Sequence, residues 1–150
     1  MDLILWRHAD AEDGMPDMGR QLTAKGQKQA AEMAQWLKLR LPKDARILVS
    51  PAVRAQQTAQ ALMREYETVQ EITPGGTHSA LLAAAGWPDG KGTVLIVGHQ
   101  PTLGQAAAYA LSGETAEWNV KKSAIWWLTF RERGGQGQVI LRAVMAPDLV

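Results

Sequence analysis

The sequence predicts one α/β domain, residues 1–150, built around a mixed and mostly parallel sheet. Short apolar stretches alternate with segments of helical periodicity, which is typical of parallel strands joined by helices. The last two predicted strands follow each other across a glycine-rich turn, so they add an antiparallel edge. With 46% hydrophobic residues among 150, the chain can form the core of one compact domain.

The first strand and the first helix are the simplest elements to justify. Residues 3–6 form an apolar stretch of strand length that runs straight into charged and titratable residues. Thr23 is a suitable N-cap for a helix that Pro42 ends. Apolar residues recur on one face of that helix: Ala30, Met33, Ala34, Leu37 and Leu41.

The middle of the chain predicts a strand, a helix and two shorter elements. Residues 47–49 are apolar and β-branched, and Ser50 followed by Pro51 is typical of an N-cap and a first helical turn. We expect that helix to continue to about Tyr66. Residues 68–72 predict a third strand, and residues 77–85 predict a short helix ended by a glycine.

The second half predicts three strands and one helix. Residues 93–97 are the clearest buried strand, which ends at Gly98 and His99. An apolar helix follows from Pro101 through Leu111. Residues 124–130 and 139–144 predict two strands joined by a turn over residues 131–137.

Composition excludes several classes of function. A net charge of +1 without blocks of like charge argues against nucleic acid and against a polybasic membrane patch. The absence of cysteine excludes thiol catalysis, thiolate zinc sites and disulfides. No apolar segment approaches the roughly 20 residues that span a bilayer, and the N-terminus does not resemble a signal peptide. We therefore expect a soluble, cytoplasmic protein.

Three predicted strands end in residues that suit phosphate chemistry. These are Arg7 and His8 after the first strand, Arg54 one turn into the helix after the second, and His99 after the fourth. Ligands bind beyond the carboxyl ends of strands in open α/β sheets, so these ends can form one crevice. Arginines bind phosphate oxygens, and a neutral imidazole attacks phosphorus. No spacing of histidines or carboxylates predicts a metal site, and no cofactor is expected.

Three segments resemble, in order, the signature segments of the histidine phosphatase superfamily, once called phosphoglycerate mutase-like. They are WRHAD at the N-terminus, VSPAVRAQQTAQAL from Val49, and LIVGHQPTL from Leu95. Two further segments, GRQLTAKGQKQAAEMAQWL from Gly19 and KSAIWWL from Lys122, are similar to those of its small SixA-type phosphohistidine phosphatases. The resemblance covers nearly the whole chain and implies a three-layer α/β/α sandwich.

The resemblance also implies residue roles. His8 matches the nucleophile that becomes phosphorylated, with Arg7 beside it as a phosphate ligand. Arg54 matches the second phosphate-binding arginine, and His99 matches the second catalytic histidine. Arg20 matches a further arginine of SixA-type sites, where it would bind substrate.

Two departures from the superfamily pattern matter. Ala9 stands where the larger superfamily has glycine, so a backbone angle open only to glycine is not available. No glutamate is identified as the proton donor, and Asp10, Glu67 and Glu71 are candidates by position alone. An imidazole is a less basic leaving group than an alkoxide, so phosphohistidine needs a general acid less.

These expectations leave alternatives open. The favoured one is a phosphatase with a phosphohistidine enzyme intermediate that acts on phosphohistidine in a protein, for example a histidine phosphotransfer domain. A small-molecule phosphomonoesterase and a non-catalytic phosphoprotein-binding module are the others. Four tryptophans fit a core, whereas Trp118 is a candidate to line the site or meet a partner, and His78 is a weaker substrate-contacting candidate.

Overall fold

The computed structural model describes residues 1–150 as one six-stranded sheet with helices on both faces. In chain order the elements are β1 (Asp2–Arg7), α1 (Ala24–Lys38), β2 (Arg46–Val49), α2 (Val53–Gln60), β3 (Glu67–Thr68), α3 (His78–Ala85), β4 (Thr93–Gly98), α4 (Thr102–Ser112), β5 (Ile125–Arg133) and β6 (Gln136–Met145). Short 3₁₀ turns occur at Asp17–Gly19, Gln70–Ile72 and Pro147–Leu149.

The sheet has the order β3-β2-β4-β1-β5-β6. The pairs β3–β2, β2–β4 and β4–β1 are parallel, whereas β1–β5 and β5–β6 are antiparallel. This confirms the predicted mixed sheet with an antiparallel C-terminal edge. It also places β1, and the residues that come after it, in the middle of the sheet.

The alternation of side chains along β1 builds two cores. Leu3 and Leu5 lie in the core formed with α3 and α4, whereas Ile4 and Trp6 lie in the core formed with α1 and α2. All four side chains are fully buried. A strand that is apolar on both faces needs helices on both sides, so the three-layer arrangement is confirmed.

Threonine side chains cap two helices, α1 at the predicted Thr23 and α3 at Thr77, for which no cap was predicted. The Thr23 side chain accepts a hydrogen bond from the N–H of Gly26 at 2.9 Å, and the Thr77 side chain accepts one from Ala80 at 3.1 Å. Gly86 ends α3 in the left-handed conformation, with φ of 74°. None of the helices has both the length and the apolar composition that crossing a membrane requires.

The prediction for α2 is wrong at both ends. Ser50 is not its N-cap, because the helix begins at Val53 with Ala52 in the capping position. The helix ends at Gln60 rather than near Tyr66, and Met63 soon afterwards has a φ of 55°, which a helix cannot contain.

The third strand and the last turn also differ from the prediction. Only Glu67–Thr68 pairs with β2, and the next residues form the 3₁₀ turn Gln70–Ile72 instead of extending the strand. The predicted loop over residues 131–137 is mostly strand. Gly134 and Gly135, with φ of 57° and 78°, form a tight turn between β5 and β6.

Candidate active site

The carboxyl ends of β1, β2 and β4 meet at one edge of the sheet. The N–H of His8 donates to the carbonyl of Gly98 at 3.0 Å, and the N–H of Ser50 donates to the carbonyl of Val97 at 3.1 Å. Strand register alone therefore places His8, Ser50 and His99 next to one another. The structure thus brings together the predicted histidines, whose ring centroids are 5.2 Å apart.

The His8 ring is held in place through one of its nitrogens, Nδ1. Its side chain is almost fully buried, and Nδ1 lies 2.7 Å from the carbonyl oxygen of Ala9. A carbonyl can only accept, so Nδ1 carries the hydrogen and Nε2 keeps its lone pair. Burial lowers the pKa of His8 to about 4, and the charges of Arg54, Arg7 and Arg20 act in the same direction. His8 is therefore a neutral imidazole with Nε2 available for attack.

The His99 ring is held through Nε2, whereas the His8 ring is held through Nδ1. Its Nε2 lies 2.7 Å from Oγ of Ser50, a fully buried side chain. Ser50 Oγ already accepts a hydrogen bond from the N–H of Ala52, and its own hydrogen has no acceptor besides His99. We therefore assign Nε2 as the acceptor and Nδ1 as the protonated nitrogen.

The Nδ1 of His99 is buried and contacts no hydrogen-bond acceptor in the protein. Burial, with the nearby His8 and Arg54, lowers the pKa of His99 to about 3, so the ring is neutral. A buried N–H without an acceptor is costly unless a ligand supplies one. His99 is thus prepared to donate to a bound oxygen.

Like His99, Arg7 and Arg54 each have a buried N–H donor that no acceptor in the protein meets. The Arg7 guanidinium is fixed by a hydrogen bond from Nη1 to the carbonyl of Val120 at 2.9 Å. The Arg54 side chain is only 4% exposed and donates from Nη1 to the carbonyl of Asp17 at 2.8 Å. In both arginines Nε is buried without a partner. Two fixed cations with free donors suit an anion with several oxygens.

Arg20 is linked to Arg54 by the carboxylate of Asp17, a residue that no sequence motif indicated. Asp17 accepts from Arg20 Nε at 3.1 Å and from Arg54 Nη2 at 3.2 Å, and so bridges the two guanidinium groups. Although burial acts to raise the pKa of Asp17, the hydrogen bond from Arg20 and the charge of Arg54 lower it overall. Asp17 is therefore a carboxylate at the rim of the site.

None of the three residues that position alone made candidates for a proton donor is hydrogen-bonded to either histidine. Asp10 accepts from Lys122 at 2.8 Å and from Thr23 at 2.7 Å, and these hydrogen bonds lower its pKa. Such a carboxylate holds no proton to give. Glu67 pairs with Arg46 at 3.1 Å on the exposed sheet edge, and Glu71 is exposed on a 3₁₀ turn.

The structure also shows what surrounds three other residues that the sequence singled out, His78, Trp118 and Ala9. The His78 ring packs against Tyr109, with 5.3 Å between ring centroids, and Trp118 packs against Trp126 at 5.9 Å. Ala9 is fully buried and is not among the residues with positive φ, so alanine fits where the larger superfamily has glycine. No group of three or more metal-binding side chains is present.

Three kinds of comparison relate the chain to known proteins. The model of the histidine phosphatase superfamily (branch 1) matches residues 3–75. The chain is 35% identical over 144 residues to phosphohistidine phosphatase SixA of Escherichia coli (strain K12), covering 89% of this chain and 88% of that protein. It is 38% identical over 124 residues to a SixA homolog of Haemophilus influenzae, covering 72% of this chain and 76% of the homolog.

The chain belongs to the histidine phosphatase superfamily.

Within the histidine phosphatase superfamily, the likeness to SixA extends to the whole fold. The solved structure of the protein histidine phosphatase SixA complexed with tungstate has a TM-score of 0.80 and 31% identity, covering 99% of this chain and 98% of that one. The family model includes Arg7, His8, Arg20 and Arg54 but ends before His99. The structural match covers the second half of the chain as well.

Proposed function

We propose that this protein is a phosphohistidine phosphatase whose nucleophile is His8. The observation that carries the proposal is the bond from His8 Nδ1 to the Ala9 carbonyl, which leaves Nε2 unprotonated beside Arg7 and Arg54. Without that bond the ring would have no fixed tautomer. The SixA relatives, one of which was solved with the tetrahedral oxyanion tungstate, support the same interpretation.

The reaction has two steps. The lone pair of His8 Nε2 attacks the phosphorus of a phosphoimidazole whose other ring nitrogen carries a proton. The P–N bond of the substrate breaks, and its electron pair leaves with a neutral imidazole. Water then attacks the phosphorus of phosphorylated His8, the new P–N bond breaks, and phosphate leaves with neutral His8 restored. Arg7, Arg54 and the Nδ1–H of His99 stabilise the charge on the transferring oxygens. Arg20 binds the same anion from the rim, where Asp17 competes for its Nε–H.

The absence of a free carboxylic acid at the histidines favours phosphohistidine as the substrate. Asp10 is held as a carboxylate by Lys122 and Thr23, and neither Glu67 nor Glu71 contacts His8 or His99. An alkoxide leaving group depends on a proton donor much more than an imidazole does. This supports phosphohistidine over sugar or serine phosphates. A phosphohistidine-bearing protein is therefore the partner that we propose.

The test compares leaving groups on one peptide sequence. We expect a peptide with phosphohistidine to be hydrolysed at least about a hundredfold faster, in kcat/KM, than the same peptide with phosphoserine. Acid-labile phosphate should be trapped on His8 by rapid mixing and peptide mapping, and His78→Ala serves as the histidine control. Faster hydrolysis of phosphoserine would identify a phosphomonoesterase, and binding without an adduct or phosphate release would identify a binding module.

A further inference from the structure

A depression lined by lysines adjoins the phosphate-binding residues, and we call it the basic basin. Its cationic side chains are Arg7, Lys25, Lys28, Lys121 and Lys122, and its carboxylates are Glu32 and Asp148. It lies between the N-terminal half of α1 and the segment that precedes β5. Its volume of about 560 Å³ exceeds what a single phosphate group needs.

The charge of the basin is local rather than a property of the whole surface. Five cations face two carboxylates there, whereas the chain as a whole has a net charge of only +1. Lys122 is paired with Asp10 at 2.8 Å, and Lys28 approaches Glu32 at 3.9 Å. Lys25 and Lys121 are exposed and make no ion pair with any carboxylate. These two ammonium groups are available to a partner.

Arg7 connects the basin to the proposed reaction. The same guanidinium lines the basin and acts electrostatically on both His8 and His99. On the side of the site toward α2, the rim instead carries the carboxylate of Asp17. On that side the charge of Asp17 is paired with Arg20 and Arg54, so a bulky substrate meets unpaired positive charge mainly over the basin.

We propose that the basic basin binds a carboxylate-rich surface that adjoins the phosphohistidine of the protein substrate. This inference rests on the proposed function, since it concerns the part of the substrate beyond the phosphoryl group. A phosphohistidine carried by a protein brings its surrounding surface against the rim of the site. Lysines spread over a shallow surface act as separate point charges, which suits scattered carboxylates and speeds encounter.

The test uses two synthetic phosphohistidine peptides of equal length. One carries aspartate and glutamate on both sides of the phosphohistidine, and the other carries asparagine and glutamine at the same positions. We expect the acidic peptide to have about tenfold higher kcat/KM at low ionic strength. The ratio should approach one as salt rises above about 0.5 M, because exposed charges are screened.

Charge-reversed variants assign the preference to the basin. The double variant Lys25→Glu with Lys121→Glu should remove or invert the preference for the acidic peptide. The matched control, Lys38→Glu with Lys43→Glu, makes the same change in net charge at the end of α1 and in the loop after it. The control should keep the wild-type ratio. Equal loss in both double variants would show a general charge effect and would overturn the proposal.

Other outcomes separate this inference from the proposed function. Equal hydrolysis of the two peptides by the wild-type protein would overturn the docking role of the basin and leave the phosphohistidine phosphatase intact. Failure to hydrolyse either peptide, while a phosphoserine peptide is hydrolysed, would overturn the proposed function itself. Inhibition by a single-stranded RNA oligonucleotide at lower concentration than by the acidic peptide, lost in the basin variant, would show that nucleic acid binds there instead.

Discussion

His8 and His99 form a natural pair for comparison. Both rings are buried, both have a strongly lowered pKa, and their centroids are 5.2 Å apart. They differ in the nitrogen that the protein holds: Nδ1 of His8 meets a backbone carbonyl, whereas Nε2 of His99 meets the hydroxyl of Ser50. One ring thereby keeps a free lone pair and the other keeps a free N–H. The neighbour of each ring therefore decides which nitrogen is free, so that His8 is suited to attack and His99 is suited to donate.

The largest effect should come from removing the proposed nucleophile. We expect His8→Ala to lower the rate of phosphohistidine hydrolysis by at least about a thousandfold, because no other lone pair replaces Nε2. Inorganic phosphate should still bind, since Arg7 and Arg54 remain. Stopped-flow rates and calorimetric titration with phosphate measure the two quantities. Substantial turnover by the variant would contradict the difference in roles between His8 and His99.

Replacing His99 should cost less and should depend on the replacement. His99→Ala removes one donor to the transferring oxygens, which we expect to lower kcat by about a hundredfold. Asparagine places an amide nitrogen near the position of Nδ1, whereas glutamine places one near that of Nε2. We therefore expect His99→Asn to retain more activity than His99→Gln. The reverse order in steady-state kcat would show that Nε2, not Nδ1, faces the substrate.

The low pKa of both rings predicts how activity depends on pH. An imidazole attacks only when neutral, so the fraction of competent His8 should fall about tenfold per pH unit below about 4. An ordinary histidine would lose competence below about 6.5. Ring ¹⁵N shifts of His8, measured by NMR between pH 3.5 and 8 and assigned with His8→Ala, report the titration. A midpoint near 6.5 would contradict the effect of burial.

The lowered pKa values of His8 and His99 also affect the stability of the fold. The unfolded chain takes up protons on both histidines near their ordinary pKa of 6.5, whereas the folded chain does so only near about 4 and about 3. Protonation therefore favours the unfolded state, and the free energy of unfolding should fall as pH drops from about 6.5 toward 4. Above about pH 7.5, where histidines of the unfolded chain are almost fully neutral, the two residues should contribute no pH dependence.

Local pattern and strand register were enough to predict the centre of the molecule but not its rim. The apolar stretches indicated the central strands, and the residues at their ends had to meet once the strands paired in parallel, as Arg7 pairs with Gly98. Ser50 is not the predicted N-cap, because α2 begins only at Val53, and its hydroxyl instead contacts His99, which is distant in sequence. The bridge of Asp17 between Arg20 and Arg54 depends on loop geometry that no periodicity predicts. The helix α2 ends at Gln60 and is followed by a left-handed backbone angle at Met63, neither of which the sequence pattern indicated.

Ser50 tests the cause of the difference between the two histidines. Ser50→Ala removes the hydrogen that Nε2 of His99 accepts, so His99 should populate both tautomers and kcat should fall by about tenfold. Ring ¹⁵N shifts report the tautomer of His99 directly, and those of His8 should not change. A merely structural role for Ser50 would lower the melting temperature without shifting the tautomer. An unchanged tautomer would therefore reject Ser50 as the positioning residue.

The smallest effect concerns the carboxylate of Asp17, whose charge acts on His99 in the direction that raises its pKa. Asp17 also bridges Arg20 and Arg54, so an incoming phosphate must compete with it for the same donors. Asp17→Asn keeps the size of the side chain and one acceptor oxygen but removes the charge. We expect inorganic phosphate to bind this variant about threefold more tightly, as measured by calorimetry at low ionic strength.

Asp13→Asn is the matched control for Asp17→Asn, because it removes the same charge from the same exposed loop without a contact to either arginine. Its affinity for phosphate should stay close to that of the wild-type protein. If Asp17→Asn instead binds phosphate more weakly, the carboxylate holds Arg20 and Arg54 in the geometry that phosphate needs. The Asp17 carboxylate would then assist the binding of phosphate. A tighter-binding variant means that this charge opposes the anion, in contrast to the lysines of the basic basin.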